Sequence, residues 1–214
     1  VELTLAKAWD GKWSLNASYT WAQSYGNTEG LVKSDIAQDD AGITQDFDFA
    51  ELMDGAYGYL PNDRRHTFKA YGAYALTESF RVGANFTLSS GRPLNAFGIG
   101  HPNGVPSYGD TFYVCTANCT NDDVANDYVQ ISRGTYGRTD WTPTLDLNAT
   151  YVTEWAGAEV EFRADVYNVL NTSSVQRRNE FAEDAFPGDP NKRFMAPVAY
   201  QTPRYVQLSA GIKF

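Results

Sequence analysis

The chain of 214 residues is poor in cysteine, methionine and histidine, with two of each. A catalytic triad or a zinc site draws on histidines or on several cysteines, and the chain has little of either. Nucleophile-elbow, metalloprotease and phosphate-loop motifs are also missing. The sequence therefore carries no motif for an enzyme, a cofactor or a catalytic metal.

The chain also lacks long apolar runs and an excess of positive charge. No segment approaches the roughly 20 apolar residues of a membrane helix. Asp and Glu number 26 against 17 Lys and Arg, which gives a net charge of −9 and argues against nucleic acid as a partner. The chain starts at Val1 inside a strand-like run, without Met or a signal peptide, so we expect further residues before it.

The two cysteines, Cys115 and Cys119, lie in a polar stretch. A redox or zinc site would call for a tighter Cys-x-x-Cys pair or further ligands. The spacing favours a small disulfide-closed loop in an oxidising compartment, and two reduced surface thiols are the alternative.

The sequence is rich in aromatic residues, which make up 14% of the chain. It also contains several segments in which apolar and polar residues alternate. At the end of the chain every second residue is apolar and the residues between are small or polar, which predicts a strand with one apolar face. The apolar positions are Val206, Leu208, Ala210, Ile212 and Phe214. A terminal aromatic on such a strand is typical of outer-membrane barrels, whereas a soluble sandwich would show the alternation alone.

Residues 12–25 show the same alternation, with aromatics at both ends of the apolar face and small residues between them. A bilayer explains this placement, because Trp and Tyr favour its two interfaces. We predict an aromatic girdle formed by Trp9, Trp13, Tyr19, Trp21, Tyr74 and Tyr151.

Seven strands are predicted, and their connections alternate strictly between short and long. The short turns are at 10–11, 77–79 and 155–157, and the long polar loops at 26–63, 91–140 and 171–203. Membrane barrels have this asymmetry, with short turns on the periplasmic side. Seven strands cannot close such a barrel, and an open apolar sheet is not viable in lipid. The predicted fold is therefore all-β: a transmembrane antiparallel barrel of which residues 1–214 form the C-terminal part.

Charged residues fall on the polar face of the predicted strands. They are candidates to line the lumen, either along a substrate path or as salt bridges that hold the barrel to a plug. The candidates are Lys69, Arg81, Asp146, Glu159, Glu161, Arg163 and Asp165.

Three segments narrow the class further. Residues 63–69 read DRRHTFK, residues 90–93 read SGRP and residues 165–171 read DVYNVLN. In this order, before a terminal Phe, they resemble the C-terminal barrel half of TonB-dependent outer-membrane receptors, closest to the Oar-like group with carboxypeptidase-regulatory-like N-terminal domains. The resemblance covers residues 63–214.

This resemblance implies a 22-stranded barrel with a plugged lumen and energy-dependent uptake through contact with TonB. The TonB contact would lie in the plug and N-terminal regions, which this chain does not contain. Other implied partners are the lipid bilayer, lipopolysaccharide, the barrel-assembly machinery that reads the last strand, and an extracellular nutrient such as a peptide or protein. The implied location is the bacterial outer membrane, with the C-terminus periplasmic and the long loops extracellular.

The long loops leave several readings open. Acidic stretches at 46–48 and 121–127 suit calcium, but they lack EF-hand spacing and solvated acidic loops are favoured. The aromatic residues of the loops have two alternative interpretations: they bind a ligand, or they only pack the loops together. These residues are Tyr57, Tyr59, Phe97, Tyr108, Phe112 and Tyr113. Competing functions are an adhesive or structural barrel without transport, a membrane-embedded hydrolase and a soluble β-sandwich binding module.

Overall fold

A computed structural model describes residues 1–119 and 127–213 of the chain. Fifteen strands, one α-helical turn, α1 (Ala50–Met53), and one 3-10 turn at Ser34–Ile36 make up its regular structure. In chain order the strands are β1 (Glu2–Lys7), β2 (Trp13–Trp21), β3 (Tyr25–Gly26), β4 (Gly58–Tyr59), β5 (His66–Ala75), β6 (Phe80–Ser89), β7 (Pro93–Leu94), β8 (Tyr113–Ala117), β9 (Asp127–Gln130), β10 (Gly137–Arg138), β11 (Thr142–Trp155), β12 (Ala158–Tyr167), β13 (Val175–Arg178), β14 (Pro197–Tyr200) and β15 (Tyr205–Lys213). Across the described ranges, no helix has the length and apolarity needed to cross a membrane.

Seven of these strands form one antiparallel sheet in the order β1-β2-β5-β6-β11-β12-β15. Each strand pairs with the next long strand along the chain, so the three short turns lie at one end of the sheet and the three long loops at the other. Within the described residues the sheet is open, with β1 and β15 as its edges. The prediction of an all-β, seven-stranded portion of a barrel is confirmed; a total of 22 strands stays a prediction.

Within the seven paired strands, the register places the predicted apolar positions up to Ile212 on the same face of the sheet. Across neighbouring strands, Leu15 lies opposite Gly72, Ala84 opposite Leu147, and Ala164 opposite Leu208. This apolar face is open to the surroundings, with Leu3 64% and Leu208 77% exposed. The opposite face carries the polar residues of the same strands.

The strand bounds differ from the prediction mainly in the third pair. The prediction begins this pair near Leu145 and puts a turn around Trp155, but β11 already starts at Thr142 and continues to Trp155. β1 ends at Lys7, so Trp9 lies in the turn and not in the strand. Strand ends are hard to place from alternation alone, because hydrogen bonds to a neighbouring strand decide where pairing stops.

The compact core lies in the loops and not in the sheet. We call residues 22–65 loop 1, residues 90–141 loop 2 and residues 168–204 loop 3. Ala56 from loop 1 packs with Phe97 and Phe112 from loop 2, and Phe181 from loop 3 joins them. Sequence alternation predicts polar excursions here, whereas the structure shows short paired strands, β3–β4, β7–β10, β8–β9 and β13–β14.

Candidate functional site

The polar face of the sheet gathers all seven charged residues proposed for the lumen. The register sets Lys69 opposite Thr87, Asp146 opposite Asn85, and Glu161 opposite Gly211. Three of the seven have hydrogen-bond partners, namely Arg163, Asp165 and Asp146. Arg163 donates from Nη2 to Asp165 at 2.7 Å. Asp146 accepts a hydrogen bond from the backbone of Asn168. Whether these side chains line a lumen stays a prediction.

Five of the six predicted girdle residues lie in the large strands. Trp13, Tyr74 and Tyr151 lie near the short-turn end, while Tyr19 and Trp21 lie near the loop end. Trp9 differs from these five, because its ring stacks under the guanidinium of Arg81, 5.5 Å from the ring centroid, and Arg81 belongs to the polar face. The bilayer contact of the girdle stays a prediction.

Basic side chains accompany these rings at the short-turn end. The ammonium of Lys7 lies 4.1 Å from the centre of the Trp13 ring and also pairs with Asp10 at 2.7 Å. Hydrogen bonds from Lys7 and from the backbone of Trp13 and Lys12 hold the pKa of the exposed Asp10 carboxyl well below its usual range. This pairing closes the first short turn.

Asp63 organises the boundary between the sheet and the loops. Its carboxylate pairs with Arg138 and with Arg65, and it accepts a hydrogen bond from the backbone of Ser24. Burial alone would raise the pKa of Asp63, but the hydrogen bonds from Arg138 and Ser24 outweigh it and the pKa falls. Arg64 donates to the carbonyl of Ser90. Asp63 thus forms charge pairs with Arg65 and Arg138 at this rim, while Arg64 binds the backbone.

A buried ionic cluster links loops 1 and 2. Arg133 is fully buried and pairs with Asp35 at 3.4 Å and with Asp46 at 3.6 Å. It also donates to the carbonyl of Ala56 and lies 5.0 Å from the centre of the Phe112 ring. Lys33 completes the cluster at 3.5 Å from Asp46. Buried charges are tolerated only when paired in this way, so the cluster locks the two loops together.

A second buried set links loop 2 to loop 3. Glu180 is 1% exposed; it pairs with Arg92 and accepts a hydrogen bond from the backbone of Asn95 at 2.6 Å. The Asn95 side chain donates to Asp35 and so joins the two clusters. Burial raises the pKa of Glu180 to about 7, although the charge of Arg92 opposes this shift.

Glu183 fastens loop 3 to the disulfide region of loop 2. Its two carboxylate oxygens accept backbone hydrogen bonds from Ile99, Cys115 and Gly188, each 2.8 Å long. Cys115 and Cys119 form the predicted disulfide. A Cβ added at Gly188 would lie 2.1 Å from that of Cys119, and the positive φ of Gly188 further favours glycine.

Asn168 clamps the two ends of loop 3. It adopts a left-handed backbone conformation with φ of 47°, which asparagine accepts more readily than most residues. Its side-chain amide donates to the carbonyls of Thr172 and Thr202. Thr202 lies 34 residues after Asn168 along the chain. Asn168 therefore satisfies backbone groups at the end of β12.

The loop aromatics differ in burial, and contact of any of them with a ligand stays a prediction. Phe97 and Phe112 are buried in the loop core, while Tyr57 is 68% exposed and Tyr108 48% exposed. Tyr113 is held by Asp54, and this hydrogen bond together with burial raises the pKa of its phenol to about 12. The exposed rings remain available for contact with another molecule.

The acidic stretch at 46–48 is occupied by protein groups. Asp46 pairs with Lys33 and Arg133, and Asp48 accepts a hydrogen bond from the Tyr108 hydroxyl. Among the residues that the structure describes, no three His, Cys, Asp or Glu side chains are placed to hold a metal. The second stretch, 121–127, lies outside the described residues except for Asp127.

Sequence reasoning missed the buried network that runs through the loops. Its members are Lys33, Asp35, Asp46, Arg92, Asn95, Arg133, Glu180 and Glu183. The available signal was weak: these charged residues occur beside loop aromatics and glycines instead of in solvated runs. Pairs such as Arg133 and Asp35 are 98 residues apart, so no local pattern connects them.

Comparison with known proteins identifies a relative that aligns with the whole chain. The chain is 30% identical, over 256 aligned positions covering all of it, to the TonB-dependent transporter Oar of Myxococcus xanthus. It spans 22% of that relative's length. Among solved structures it is similar to the ferric-catecholate import receptor Fiu of E. coli K12 in its closed form, with 16% identity and a TM-score of 0.49, over 99% of this chain and 20% of that one. No family model matches the chain.

Proposed function

The chain is a β-barrel segment of the TonB-dependent receptor family, and on that premise we propose that it forms part of the wall of an uptake channel together with three extracellular loops. TonB-dependent transporters are outer-membrane proteins, so the segment is assigned to the outer membrane. The descriptions of its relatives are those of a transporter and an import receptor, in agreement with the absence of enzyme motifs.

The observation that carries this proposal is the single apolar face of the seven-stranded sheet. In water, an exposed surface built from residues such as Leu3, Phe162 and Leu208 would drive association. In a bilayer it is the lipid-facing wall, and the polar face then borders the lumen. A soluble β-sandwich would instead bury this face against a second sheet.

The partners follow from this placement. TonB would engage a part of the receptor outside this chain, and lipopolysaccharide would meet the apolar face at its loop end. The barrel-assembly machinery would read the last strand through Val206, Leu208, Ala210, Ile212 and Phe214, of which Phe214 lies outside the described residues. The loops would capture an extracellular nutrient, such as a peptide or protein.

The rigidity of the loops supports capture. Buried ion pairs tie loop 1 to loop 2 and loop 2 to loop 3, so the three loops form one body above the strands. A pre-ordered surface binds a ligand without first losing the conformational entropy of free loops.

Labelling in intact cells tests the orientation. The native cysteines form a disulfide, so a single cysteine introduced at Tyr57 in loop 1 or at Glu78 in the second short turn is the only reactive thiol of the chain. We expect a membrane-impermeant maleimide to label Y57C in intact cells and E78C only after the outer membrane is permeabilised. The reverse pattern would show that the loops face the periplasm.

Transport is tested in the same cells by comparing growth on peptide as the nutrient with and without TonB. A requirement for both TonB and the receptor supports uptake. Loss of the receptor without any change in TonB-dependent growth would remove transport from the proposal and leave an adhesive or structural barrel.

A further inference from the structure

A polar cavity of about 760 Å³ lies between loops 2 and 3. Four carboxylates, two cations and two amides are among its lining residues: Asp110, Glu183, Asp184, Asp189, Lys192, Arg193, Asn179 and Asn191. Its volume falls in the range of roughly 300–1,000 Å³ that is usual for ligand sites. Unlike an acidic patch, this open cleft carries charges of both signs.

Five of the six charged groups around this cavity differ from the buried cations of the loop body. In the loop body the buried side chains Lys33, Arg92 and Arg133 each meet a carboxylate. Glu183 accepts three backbone hydrogen bonds. Within residues 1–119 and 127–213, the other five charged groups of the cavity make no ion pair within 4.0 Å, and their side chains form no hydrogen bond. The fold thus pairs its structural charges, whereas these five lack an ion-pair or hydrogen-bond partner among the described residues. The charge of Lys33 acts on Asp110, but from beyond ion-pair distance.

The walls of the cavity are held in place by the protein itself. Glu183 anchors one wall through its three backbone hydrogen bonds. The Asn191 side chain accepts a hydrogen bond from the backbone of Arg193, and the backbone of Asp184 donates to the carbonyl of Asp189. The charged side chains therefore project from an ordered frame, as a binding site requires.

The chemistry of the lining indicates which ligands fit. A polyanion, such as an iron-chelating catecholate, would meet four carboxylates and two cations and would be repelled on balance. Burial raises the pKa of Asp110 although the charge of Lys33 opposes this shift, so a cationic group of a ligand would favour the charged form of this carboxyl. A ligand with separate cationic and anionic groups matches both halves, while Asn179 suits an amide between them.

We propose that the cavity between loops 2 and 3 binds a peptide segment that carries free amino and carboxylate charges. The amino group is received by Asp110, Asp184 and Asp189, and the carboxylate by Lys192 and Arg193. The apolar side chains of Ile99 and Phe181, which also line the cavity, contact the body of the peptide. This inference rests on the proposed function, since it assigns the ligand class of the capturing loops.

Binding to the purified whole receptor in detergent tests the site directly. The probe is a library of random tetrapeptides with free termini, observed by saturation-transfer NMR, and the matched probe is the same library acetylated and amidated at its ends. We expect the free library to bind and the D184N/D189N double variant to lose about tenfold or more in affinity, because charge-assisted hydrogen bonds are lost. The blocked library should bind weakly to both proteins.

Two further variants separate the cavity from the general charge of the loops. D39N removes an exposed carboxylate of loop 1 and should leave binding unchanged, whereas K192E should weaken it as the double variant does. Equal binding to the wild-type receptor and to D184N/D189N, equal binding of both libraries, or no binding of the free library would each overturn the proposal. The binding assay needs no energised membrane, so it is independent of the growth experiment. If peptide binding fails but growth still requires TonB and the receptor, only the assignment of the cavity is refuted. If growth does not require TonB but the cavity binds peptide, only the proposal of transport is refuted.

Discussion

At the scale of single residues, neighbours along a strand experience opposite surroundings. Leu147 lies on the apolar face opposite Ala84 and Val166, while Asn148 lies on the polar face opposite Gly83 and Asp165. One step along the chain therefore decides whether a side chain meets lipid or the polar interior.

Replacing Leu147 by arginine is expected to destabilise the barrel by about 2–4 kcal/mol, the cost of a charge near the bilayer midplane. The matched variant Asn148→Arg should cost much less, since its side chain enters the polar face. Unfolding of both variants by guanidinium chloride in lipid vesicles measures the difference. Equal costs would contradict the assignment of the two faces.

Glu180 is expected to make the loop body sensitive to pH. Its pKa of about 7 in the folded protein lies above the ordinary value of 4.5, so the folded state binds the proton more tightly. This contribution to stability is complete below pH 4.5 and is lost as the pH rises through 7. Its neighbours are Arg92, the backbone of Asn95 and, through Asn95, Asp35.

Hydrogen exchange of the loop amides between pH 5 and 8, corrected for intrinsic rates, measures this effect. Glu180→Gln mimics the protonated carboxyl and should flatten the dependence on pH. A variant with the same dependence as the wild-type protein would assign the effect to another group.

At the scale of elements, asparagines with positive φ connect the two ends of loop 3 where it leaves and rejoins the sheet. Asn168 follows β12 and joins the outgoing and returning ends of loop 3 through Thr172 and Thr202. Asn171, also with positive φ, accepts a hydrogen bond from the backbone of Arg204, the residue before β15. The short segment 165–171 thus sets where loop 3 leaves the sheet and where it returns.

Asn168→Ala should destabilise loop 3 by about 2–4 kcal/mol, because it removes the side-chain hydrogen bonds and places alanine in a left-handed conformation. Asn168→Gly loses the same hydrogen bonds without the conformational strain and should cost about 1 kcal/mol less. Exchange protection of the amides of residues 172 and 201 reports the change. If glycine were the worse substitution, the left-handed conformation would not be the constraint.

The disulfide closes a short ring within loop 2. Replacing both Cys115 and Cys119 by serine is expected to lower local stability by about 2 kcal/mol, as estimated from the entropy of closing a five-residue loop. Limited proteolysis should show faster cleavage near this ring, with no change in the large strands. Cleavage rates unaltered by the substitution would mean that Glu183 and its backbone partners alone hold this region.

At the scale of the whole molecule, two parts are stabilised by different means. The sheet depends on backbone pairing and on its apolar face, whereas the loop body depends on a small aromatic core and on paired buried charges. A defect in the loop body should therefore leave the strands intact.

Arg133→Met tests this independence. It leaves Asp35 and Asp46 without their shared partner in a buried site, at a cost of about 3–5 kcal/mol to the loop body. Hydrogen exchange should rise across loops 1 and 2 but remain slow in β5, β6 and β11. Lys192→Met, which removes an exposed and unpaired cation, is the matched control, and loss of protection in the strands as well would show that sheet and loops unfold together.

The sequence by itself determined the seven strands, their two faces and the ends at which turns and loops lie. These follow from a period of two and from the lengths of the connections, both of which are local properties of the chain. The segments 63–69, 90–93 and 165–171 also identified the family, and the cysteine spacing indicated the disulfide.

Only the tertiary structure decided how the loops are built. Arg133 meets Asp35 and Arg92 meets Glu180 across 98 and 88 residues, and no periodicity marks residues that pair at such distances. The same holds for the cavity, whose lining combines Asp110 with residues 179–193 of another loop. Alternation along a strand is imposed by backbone geometry, whereas these contacts depend on how three separate loops pack against one another.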